Sequence, residues 1–239
     1  MSASLYLLPN RVAETPVEDA LPAATLAAAR RIEFFLAENA KSARAFLKAA
    51  GHPRPMSELS ITEIGHRPDP AQIAAWLAPL AAGHDVAIVS ESGCPGVADP
   101  GASLVAAAHE RGIRVRPLVG PSSLLLALMA SGLDGQRFRF MGYLPVQAES
   151  LVPAIRAAER DSSVGETQLF IETPYRNQRL FEAFLAHAAP DTRLTVAIDL
   201  TGDGEFVSTR SIAAWKRAEV PDFAKRPAVF ALLAAPRKR

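Results

Sequence analysis

The sequence predicts two α/β domains, an N-terminal one with a mainly parallel sheet flanked by helices and a C-terminal one with a mixed sheet. The chain has 239 residues, and nearly half of them are apolar, which suits two cores in domains of about 120 residues each. Strand and helix patterns alternate through the first half, whereas short strands with hairpin signals follow Gly120. We therefore expect an N-terminal domain at 1–119 and a C-terminal domain at 120–239.

Apolar runs and helical spacing place the elements of the first domain. Asn39 is a suitable N-cap with Gly51 after the last helical residue, and Asp69 before Pro70 is typical of a helix start. Gly83 and Gly112 end two further periodic segments. We expect strands at 5–8, 32–36, 86–89 and 115–118, and helices at 21–30, 40–50, 70–82 and between Pro100 and Gly112.

The second domain has a different pattern. An apolar helix at 124–129 ends before Gly132, and short strand signals near 205–207 indicate hairpins. The remaining apolar runs predict a mixed sheet and its helices. We expect strands at 138–141, 169–172, 194–200 and 229–234, and helices at 151–158, 176–188 and 212–217.

The most informative segment of the chain is 86–101, Val-Ala-Ile-Val-Ser-Glu-Ser-Gly-Cys-Pro-Gly-Val-Ala-Asp-Pro-Gly. A strand, a long loop rich in glycine and proline, and a helix follow one another, which is how ligand sites form at the carboxyl end of a parallel sheet. Ordinary connections of this type take two to six residues, and this one takes about eleven. The segment therefore predicts a binding site rather than a simple connection.

Composition excludes several classes of protein. The 26 Lys and Arg residues nearly balance the 25 Asp and Glu residues, so the net charge gives no sign of nucleic-acid binding. The single cysteine, Cys94, excludes an internal disulfide and fits a reducing compartment. No apolar run is long enough to span a membrane, and the first residues lack the features of a secretory signal. We expect a cytoplasmic protein without a membrane partner.

The motifs of common nucleotide and metal sites are missing. The turn after the first strand contains no glycine, so the chain fails the test for a standard dinucleotide-binding unit, and it has no Gly-Lys-Ser or Gly-Lys-Thr loop. The five histidines are scattered without metal-ligand spacing. We expect no metal.

Four ordered segments resemble the tetrapyrrole-methylase superfamily of S-adenosylmethionine-dependent methyltransferases. They are Ser-Glu-Ser-Gly-Cys-Pro-Gly-Val-Ala-Asp-Pro-Gly at 90–101, Val-Gly-Pro-Ser-Ser at 119–123, Met-Gly-Tyr-Leu-Pro at 141–145 and Phe-Ile-Glu-Thr-Pro-Tyr-Arg at 170–176. Their order and spacing are most similar to the branch that methylates a ribose 2′-hydroxyl of small-subunit ribosomal RNA. The resemblance covers nearly the whole chain.

The resemblance implies a homodimer in which S-adenosylmethionine binds in a cleft between the two domains, with ribosomal RNA or the small ribosomal subunit as a partner. Ser122 and Ser123 could equally cap the helix that follows them, and we favour a turn-forming role for Asp99 over direct ligand contact. Apolar side chains such as those of Met141 and Leu144 suit the adenine, and glycine-bearing loops suit the polar groups of the cofactor. The implied cofactor-binding residues are Ser90, Ser92, Gly93, Pro95, Gly96, Val97, Ala98, Ser122, Ser123, Met141, Gly142 and Leu144.

The chain also departs from that branch. Its first turn reads Leu-Pro-Asn-Arg-Val-Ala where relatives carry Gly-Thr-Pro-Ile-Gly-Asn, and Glu38-Asn39-Ala40-Lys41 replaces Glu-Asp-Thr-Arg. Asp199-Leu200-Thr201-Gly202 replaces Glu-Leu-Thr-Lys. We interpret the chain as a divergent paralogue that retains the cofactor half of the site and has a rewritten substrate half.

Methyl transfer to a hydroxyl needs an aligned nucleophile and a group that takes its proton. Glu38, Glu91 and Glu172 lie at predicted strand ends, where each could be that base or an acceptor for cofactor hydroxyl and amine groups. For Arg176 we favour a structural ion pair over a phosphate contact. Cys94 is interpreted as a small space-filling residue, because no histidine is placed to activate it.

Three functional hypotheses remain. The leading one is methylation of a ribose hydroxyl in RNA; the others are methylation of a small molecule such as a tetrapyrrole, and cofactor binding without turnover. An apolar, enclosed cleft would favour the small molecule, and a blocked donor pocket would favour the inactive protein. RNA would be favoured by a contiguous basic surface built from Arg11, Arg30, Arg31, Lys41, Arg44 and Arg176.

Overall fold

The computed structural model describes residues 3–235, and its contacts divide the chain into two compact units, Met1–Ser122 and Ser123–Arg239. The division falls three residues after the boundary that we expected from the sequence. Each unit is described by itself, and the domain assignment 1–119 and 120–239 stays a prediction.

Unit 1 is built on a five-stranded sheet with the order β3-β2-β4-β1-β5, in which all neighbours are parallel. The central strands are short apolar runs buried on both sides, as a parallel sheet covered by helices requires. The strands are β1 (Ser4–Leu8), β2 (Phe34–Ala37), β3 (Ser60–Glu63), β4 (Val86–Val89) and β5 (Arg114–Pro117).

Helices cover both faces of this sheet. Tyr6, Leu8 and Phe35 belong to the core on one face, and Leu5 and Ile88 belong to the core on the other. The helices are α1 (Val17–Ala20), α2 (Ala23–Arg31), α3 (Ala40–Ala49), α4 (Ile73–Ala81), which follows a 3₁₀ turn at Pro70–Gln72, and α5 (Ala102–Glu110).

Local sequence signals explain where these helices begin. The Asn39 side chain accepts hydrogen bonds from the backbone N–H groups of Lys41 and Ser42, which confirms it as the cap of α3. Asp69 caps in the same way, but it caps the 3₁₀ turn, so the α-helix begins three residues later than expected.

Unit 2 contains a mixed five-stranded sheet with the order β6-β7-β10-β8-β9. β6 and β7 are parallel, and the other neighbours are antiparallel. The strands are β6 (Phe138–Gly142), β7 (Thr167–Glu172), β8 (Arg193–Ile198), β9 (Phe206–Ser211) and β10 (Ala228–Leu233); the helices are α6 (Ser123–Ser131), α7 (Ala148–Ser162), α8 (Asn177–His187) and α9 (Ile212–Trp215).

The structure confirms the predicted fold class, with one parallel and one mixed sheet. Two elements were missed: α1, which is a single turn, and β3, which carries Ser60, Thr62 and Glu63. β3 is an edge strand with no buried residue, so it lacks the apolar signal by which strands are recognised.

Candidate functional site

The loop 90–101 leaves the carboxyl end of β4 near the middle of the parallel sheet of unit 1. β4 lies between β1 and β2, so the loop begins beside the turn after β1 and beside Glu38, which follows β2. Residues at the carboxyl ends of neighbouring parallel strands share one edge of the sheet, where open α/β folds bind ligands.

Asn10, in the turn after β1, clamps this loop. Its backbone exchanges two hydrogen bonds with Gly93, at 2.9 and 3.1 Å, and its side-chain amide donates to the carbonyls of Ser90 and Glu91, at 3.3 and 3.1 Å. The residue is only 8% exposed. The turn that lacks the glycines of the related branch therefore has a structural use, since it fixes the beginning of the loop.

Pro9, also in the turn after β1, packs closely against Gly120 in the segment that follows β5. A Cβ added at Gly120 would lie 2.3 Å from Cγ and 2.5 Å from Cβ of the Pro9 ring. No side chain larger than hydrogen fits there, because heavy atoms do not approach so closely. Glycine in the Val-Gly-Pro-Ser-Ser segment is thus required by the close approach of Pro9.

Inside the loop, the Ser90 hydroxyl contacts both the Asp99 carboxylate and the carbonyl oxygen of Ser92, the latter at 3.0 Å. Ser90 is 4% exposed. Its hydroxyl is occupied within the loop, so Ser90 and Asp99 hold the loop closed across nine residues. Asp99 therefore does more than form a turn before Pro100.

The loop divides into buried and exposed residues. Ser90, Gly93 and Pro95 are buried, whereas Ser92 and the run from Gly96 to Ala98 are exposed. Gly96 has φ +78°, and a Cβ there would come no nearer than 3.8 Å to another part of the loop. The exposed part of the loop offers open backbone that a ligand can approach closely.

Three carboxylates of unit 1 lie close enough to influence one another. Burial raises the pKa of Asp99 above its usual range, and the charges of Glu38 and Glu91 add to this rise while the hydrogen bond from Ser90 opposes it. Glu38 contacts His66, with 3.2 Å between Oε1 and Nδ1. Glu91 is exposed, and its side chain makes no ion pair or hydrogen bond within residues 3–235.

The third predicted acid, Glu172, lies in unit 2 at the end of β7. Its side chain is 6% exposed, and one oxygen accepts from both Nε and Nη2 of Arg176, at 3.0 and 2.6 Å. The same oxygen accepts from the backbone N–H of Thr173. Arg176 thus forms the structural ion pair that we favoured for it.

The other predicted cofactor residues lie at the start of unit 2 or at the unit boundary. Leu144 is 6% exposed and packs in the core of unit 2, while Met141 is half-buried against that core. Gly142 has φ +69° with no atom near its missing side chain. Ser122 is the last residue of unit 1, and Ser123 is the first residue of α6.

The environment of Cys94 fits a space-filling residue. Its Sγ lies 3.4 Å from the carbonyl oxygen of Pro121. Burial, with a smaller contribution from the charge of Asp99, raises the pKa of the thiol above its usual range. The thiol form is favoured, which is the opposite of what a cysteine nucleophile needs.

Three of the basic residues expected to support RNA are engaged by partners within their own unit. Arg11 pairs with Glu14 at 2.7 Å, Arg176 pairs with Glu172, and the Nε of Arg30 donates to the Ala50 carbonyl. Within residues 3–235, no group of three or more His, Cys, Asp or Glu side chains is arranged to hold a metal ion. No helix in the described part of the chain is long and apolar enough to cross a membrane.

Comparison with known protein families identifies the family to which the chain belongs. Residues 18–214 match the model described as "Tetrapyrrole (Corrin/Porphyrin) Methylases". The chain belongs to the tetrapyrrole methylase family. The resemblance predicted from the four motifs is thereby confirmed, and the match includes the 90–101 loop.

Two curated relatives of this tetrapyrrole methylase are named "Ribosomal RNA small subunit methyltransferase I". The protein of Mesorhizobium japonicum is 36% identical over 138 residues, which are 58% of this chain and 46% of the relative. The protein of Escherichia coli O157:H7 is 35% identical over 131 residues, which are 55% of this chain and 45% of the relative. The chain matches less than half the length of each of these relatives.

Solved structures support the fold of this family member. Diphthine synthase superposes with a TM-score of 0.66 at 19% identity, and the match covers 98% of this chain and 90% of that chain. Uroporphyrin-III-C-methyltransferase from Thermus thermophilus superposes with a TM-score of 0.57 at 19% identity, and the match covers 98% of this chain and 93% of that chain. At such identities, the likeness concerns the fold alone.

Proposed function

We propose that this chain is an S-adenosylmethionine-dependent methyltransferase that methylates a ribose 2′-hydroxyl of small-subunit ribosomal RNA. The names of the curated relatives support this acceptor over a small tetrapyrrole-like molecule. The homodimer implied by the resemblance and the cytoplasmic location expected from the composition stay predictions.

The observation that carries the proposal is the 90–101 loop, held at the carboxyl end of a parallel sheet by Asn10 and by Ser90 with Asp99. Its exposed part, from Gly96 to Ala98, presents backbone beside side chains no larger than that of Val97, which is 48% exposed. S-adenosylmethionine carries a carboxylate, an ammonium, ribose hydroxyls and an adenine edge, all of which backbone N–H and C=O groups can bind. The loop therefore fits this cofactor.

The charges near the loop also suit the cofactor. When bound, S-adenosylmethionine supplies a methyl group on a positively charged sulfonium and carries an ammonium group as well. Glu38 and Glu91 are carboxylates at the same edge of the sheet, and both act electrostatically on Asp99. Opposite charges attract strongly when they are partly removed from water. Glu38, held by His66, is proposed to accept from a cofactor amine or hydroxyl group.

Glu91 is the strongest candidate for the base. It is exposed and its side chain has no ion pair or hydrogen bond within the described residues, so its carboxylate is available to a substrate hydroxyl. Glu172, by contrast, already accepts three hydrogen bonds within unit 2. We propose that Glu91 takes the proton of the attacking hydroxyl and that Glu172 positions Arg176.

We assign the other predicted residues accordingly. Ser92, Gly96, Val97 and Ala98 contact the cofactor directly in this proposal, whereas Ser90, Gly93 and Pro95 shape the loop. Further contacts are proposed for Ser122, Ser123, Met141 and Gly142. Leu144, being buried in the core of unit 2, supports the segment that carries Met141 and Gly142.

The test is transfer of a radioactive methyl group from S-adenosylmethionine to small ribosomal subunits that lack ribose methylation. Incorporation at a ribose 2′-oxygen is expected, and Glu91→Gln should lower the rate by a factor of about 10² to 10⁴. Glu172→Gln is the matched comparison, since it removes the same charge from a carboxylate that we place outside the proton transfer. Its effect should appear mainly in stability.

The alternatives give different results in the same assay. Methylation of a tetrapyrrole without any incorporation into RNA would replace the proposed acceptor by a small molecule. Binding of S-adenosylmethionine without transfer to either acceptor would identify a protein that retains the cofactor site and has lost turnover.

A further inference from the structure

A second concave site lies in unit 1, at the opposite end of the sheet from the 90–101 loop. It is an open cavity of about 780 Å³ at the amino ends of β1, β2, β4 and β5. Its volume is within the range of small-ligand sites. The side chains that matter for its chemistry are Tyr6, Arg31, Phe34, His84, Arg114 and Arg116.

Tyr6 organises two guanidinium groups in this cavity. Its hydroxyl oxygen accepts from Nη2 of Arg31 at 2.9 Å and from Nη1 of Arg116 at 3.0 Å. Both guanidinium carbons also lie over its ring, at 5.4 and 5.2 Å from the centroid. The tyrosine is 3% exposed. Because both lone pairs of the hydroxyl are used, its own proton remains to be donated.

No acceptor for this proton is present within residues 3–235. A phenol hydroxyl usually finds a partner when the residue is buried. The unused proton lies beside two guanidinium groups that still have N–H donors free. This arrangement of donors alone suits an anion with several oxygen atoms, such as a phosphate group.

The charges around the cavity do not cancel. Asp85 pairs with Arg31 at 3.4 Å and also accepts from the backbone N–H of Ser4. Glu33, the other acid of the lining, pairs with Arg54 at 2.9 Å. Arg114 and Arg116 form no ion pair within the described part of the chain. Two positive charges are thus left for a ligand.

Arg114 and Arg116 face the cavity because of the strand that carries them. They lie two residues apart on β5, an edge strand, and therefore project from the same face. Arg114 is opposite Ser4 and Arg116 is opposite Tyr6 in the pairing with β1. Both are exposed, so neither is held in place by packing in a core.

An aromatic pair lines the cavity at the same end of the sheet, on the face opposite to Tyr6, where Phe34 packs with the core that contains Leu5 and Ile88. Phe34, the first residue of β2, lies 4.9 Å from the ring of His84, with an angle of 36° between the planes. His84 is exposed and Phe34 is half-buried. Aromatic rings next to basic side chains are the combination with which proteins bind single-stranded nucleic acids, through base stacking and phosphate contacts.

We propose that this cavity is a second RNA-binding site, which takes a short single-stranded segment across the amino end of the sheet. Arg114, Arg116 and the Tyr6 hydroxyl hold a phosphodiester of this segment, and His84 with Phe34 stacks on one of its bases. The inference rests on the proposed function in one respect, since RNA is the acceptor proposed for the carboxyl end of the same sheet. The cavity gives that RNA a contact away from the reacting ribose.

The test is a fluorescence-anisotropy titration of a labelled octauridylate, without methyl donor, at several salt concentrations. Arg114→Ala combined with Arg116→Ala should weaken binding at least tenfold. The slope of log Kd against log salt concentration should fall by about 1.4, because two phosphate contacts on a single strand are lost. Arg156→Ala, which removes an exposed arginine from α7 of unit 2, is the matched control and should leave Kd within twofold.

Two further ligands distinguish a strand of RNA from its components. An abasic ribose-phosphate octamer should bind about tenfold more weakly than octauridylate, because stacking on His84 is lost. Uridine monophosphate should compete only at much higher concentration than the octamer. Equal competition by the mononucleotide would overturn the assignment to an RNA strand, and an unchanged Kd in the folded double variant would overturn the site itself.

A second variant keeps the site testable if the double variant does not fold. His84→Ala changes an exposed side chain, and it should weaken binding of octauridylate severalfold while leaving the affinity for the abasic octamer unchanged. An equal loss for both octamers would contradict base stacking in the cavity.

The outcome is separable from that of the proposed function. If the wild type transfers no methyl group but the double variant loses RNA affinity, the cavity binds RNA and the methyl-transfer proposal fails. If methyl transfer occurs and the double variant binds octauridylate like the wild type, only the second site fails. Calorimetric titration of the double variant with S-adenosylmethionine should give the wild-type affinity.

Discussion

The two ends of the unit 1 sheet carry opposite charges. At the carboxyl end, Glu38, Glu91 and Asp99 act on one another electrostatically, whereas at the amino end Arg114 and Arg116 have no ion-pair partner within residues 3–235. Strands of four to five residues separate the ends by roughly 15 Å. The net charge of +1 conceals this separation, so a near-neutral total is no argument against a basic binding surface.

The two ends are also held together differently. At the carboxyl end, the backbone of Asn10 pairs with Gly93 and the Pro9 ring packs against Gly120, so loop position and stability depend on the same contacts. At the amino end, exposed arginines surround one buried tyrosine. Substitutions at the contacts that hold the loop should therefore affect folding and binding together, and substitutions of the exposed arginines at the amino end should affect binding alone.

The largest effect is expected for Gly120→Ala at the carboxyl end. The added methyl group would lie 2.3 Å from the Pro9 ring, so the turn must move, which should lower the free energy of unfolding by about 3 kcal/mol. Urea unfolding of the variant and the wild type measures this free-energy difference. Gly135→Ala is the control, because no atom lies within 4 Å of its added Cβ. Equal midpoints for the two variants would contradict the close approach of Pro9.

Asn10→Ala should come next. It removes the two hydrogen bonds that the buried side-chain amide donates to the Ser90 and Glu91 carbonyls. The free energy of unfolding should fall by about 2 kcal/mol, and S-adenosylmethionine should bind more weakly because the loop loosens. Calorimetry and urea unfolding on one preparation measure both. Ser211→Ala, which removes the cap of α9 in unit 2, should lower stability by about 1 kcal/mol without changing cofactor affinity. An unchanged affinity of Asn10→Ala for S-adenosylmethionine would contradict the claim that Asn10 holds the loop in its cofactor-binding position.

A smaller, pH-dependent effect is expected for Asp99→Asn. The folded-state pKa of Asp99 is raised, so its neutral form stabilises the fold below the unfolded pKa of about 3.9, and this contribution is lost as the pH rises through the folded pKa. Asparagine does not titrate. The stability of the variant relative to the wild type should therefore increase from pH 4 upward and then level off.

Asp134 provides the control of opposite sign. Hydrogen bonds from the backbone N–H groups of Arg137 and Gln136 lower its pKa, so its contribution is present above the unfolded pKa and is lost as the pH falls through the folded pKa. Asp134→Asn should therefore be less stable than the wild type at neutral pH, with the difference shrinking in acid. Parallel pH profiles for the two variants would contradict the raised pKa of Asp99.

The smallest effect on stability is expected at the amino end, for Tyr6→Phe. The ring remains in its core, and the two guanidinium groups that bind the hydroxyl can turn to water, so the cost should stay below about 1 kcal/mol. The affinity for octauridylate should nevertheless fall severalfold, because a donor and the anchor of two arginines are lost. A large loss of stability with unchanged RNA affinity would assign Tyr6 to the fold alone.

Local patterns were enough to predict most elements and the loop. The glycines and prolines of 90–101 mark it without knowledge of any contact, and the Asn39 cap is satisfied within three residues. β3 could not be found, because an exposed edge strand has no apolar alternation.

Long-range contacts account for what the sequence did not reveal. Asn10 is clamped to residues about eighty positions away, and Arg116 meets Tyr6 across 110 positions. Neither pairing has a local signature, and the sheet order that creates them is not encoded in spacing. Asp before Pro predicts a turn at Asp99, whereas the hydrogen bond that its carboxylate accepts from Ser90 depends on the folded loop.

The most direct test of the central claim is calorimetric titration with S-adenosylmethionine of the wild type, Gly96→Val and Gly112→Val. Both glycines have positive φ with no close atom, so the two substitutions impose a similar backbone strain, but only Gly96 lies on the exposed part of the 90–101 loop. We expect micromolar binding by the wild type and Gly112→Val, and at least tenfold weaker binding by Gly96→Val. Equal affinities for the three folded proteins would show that the loop is not the cofactor site.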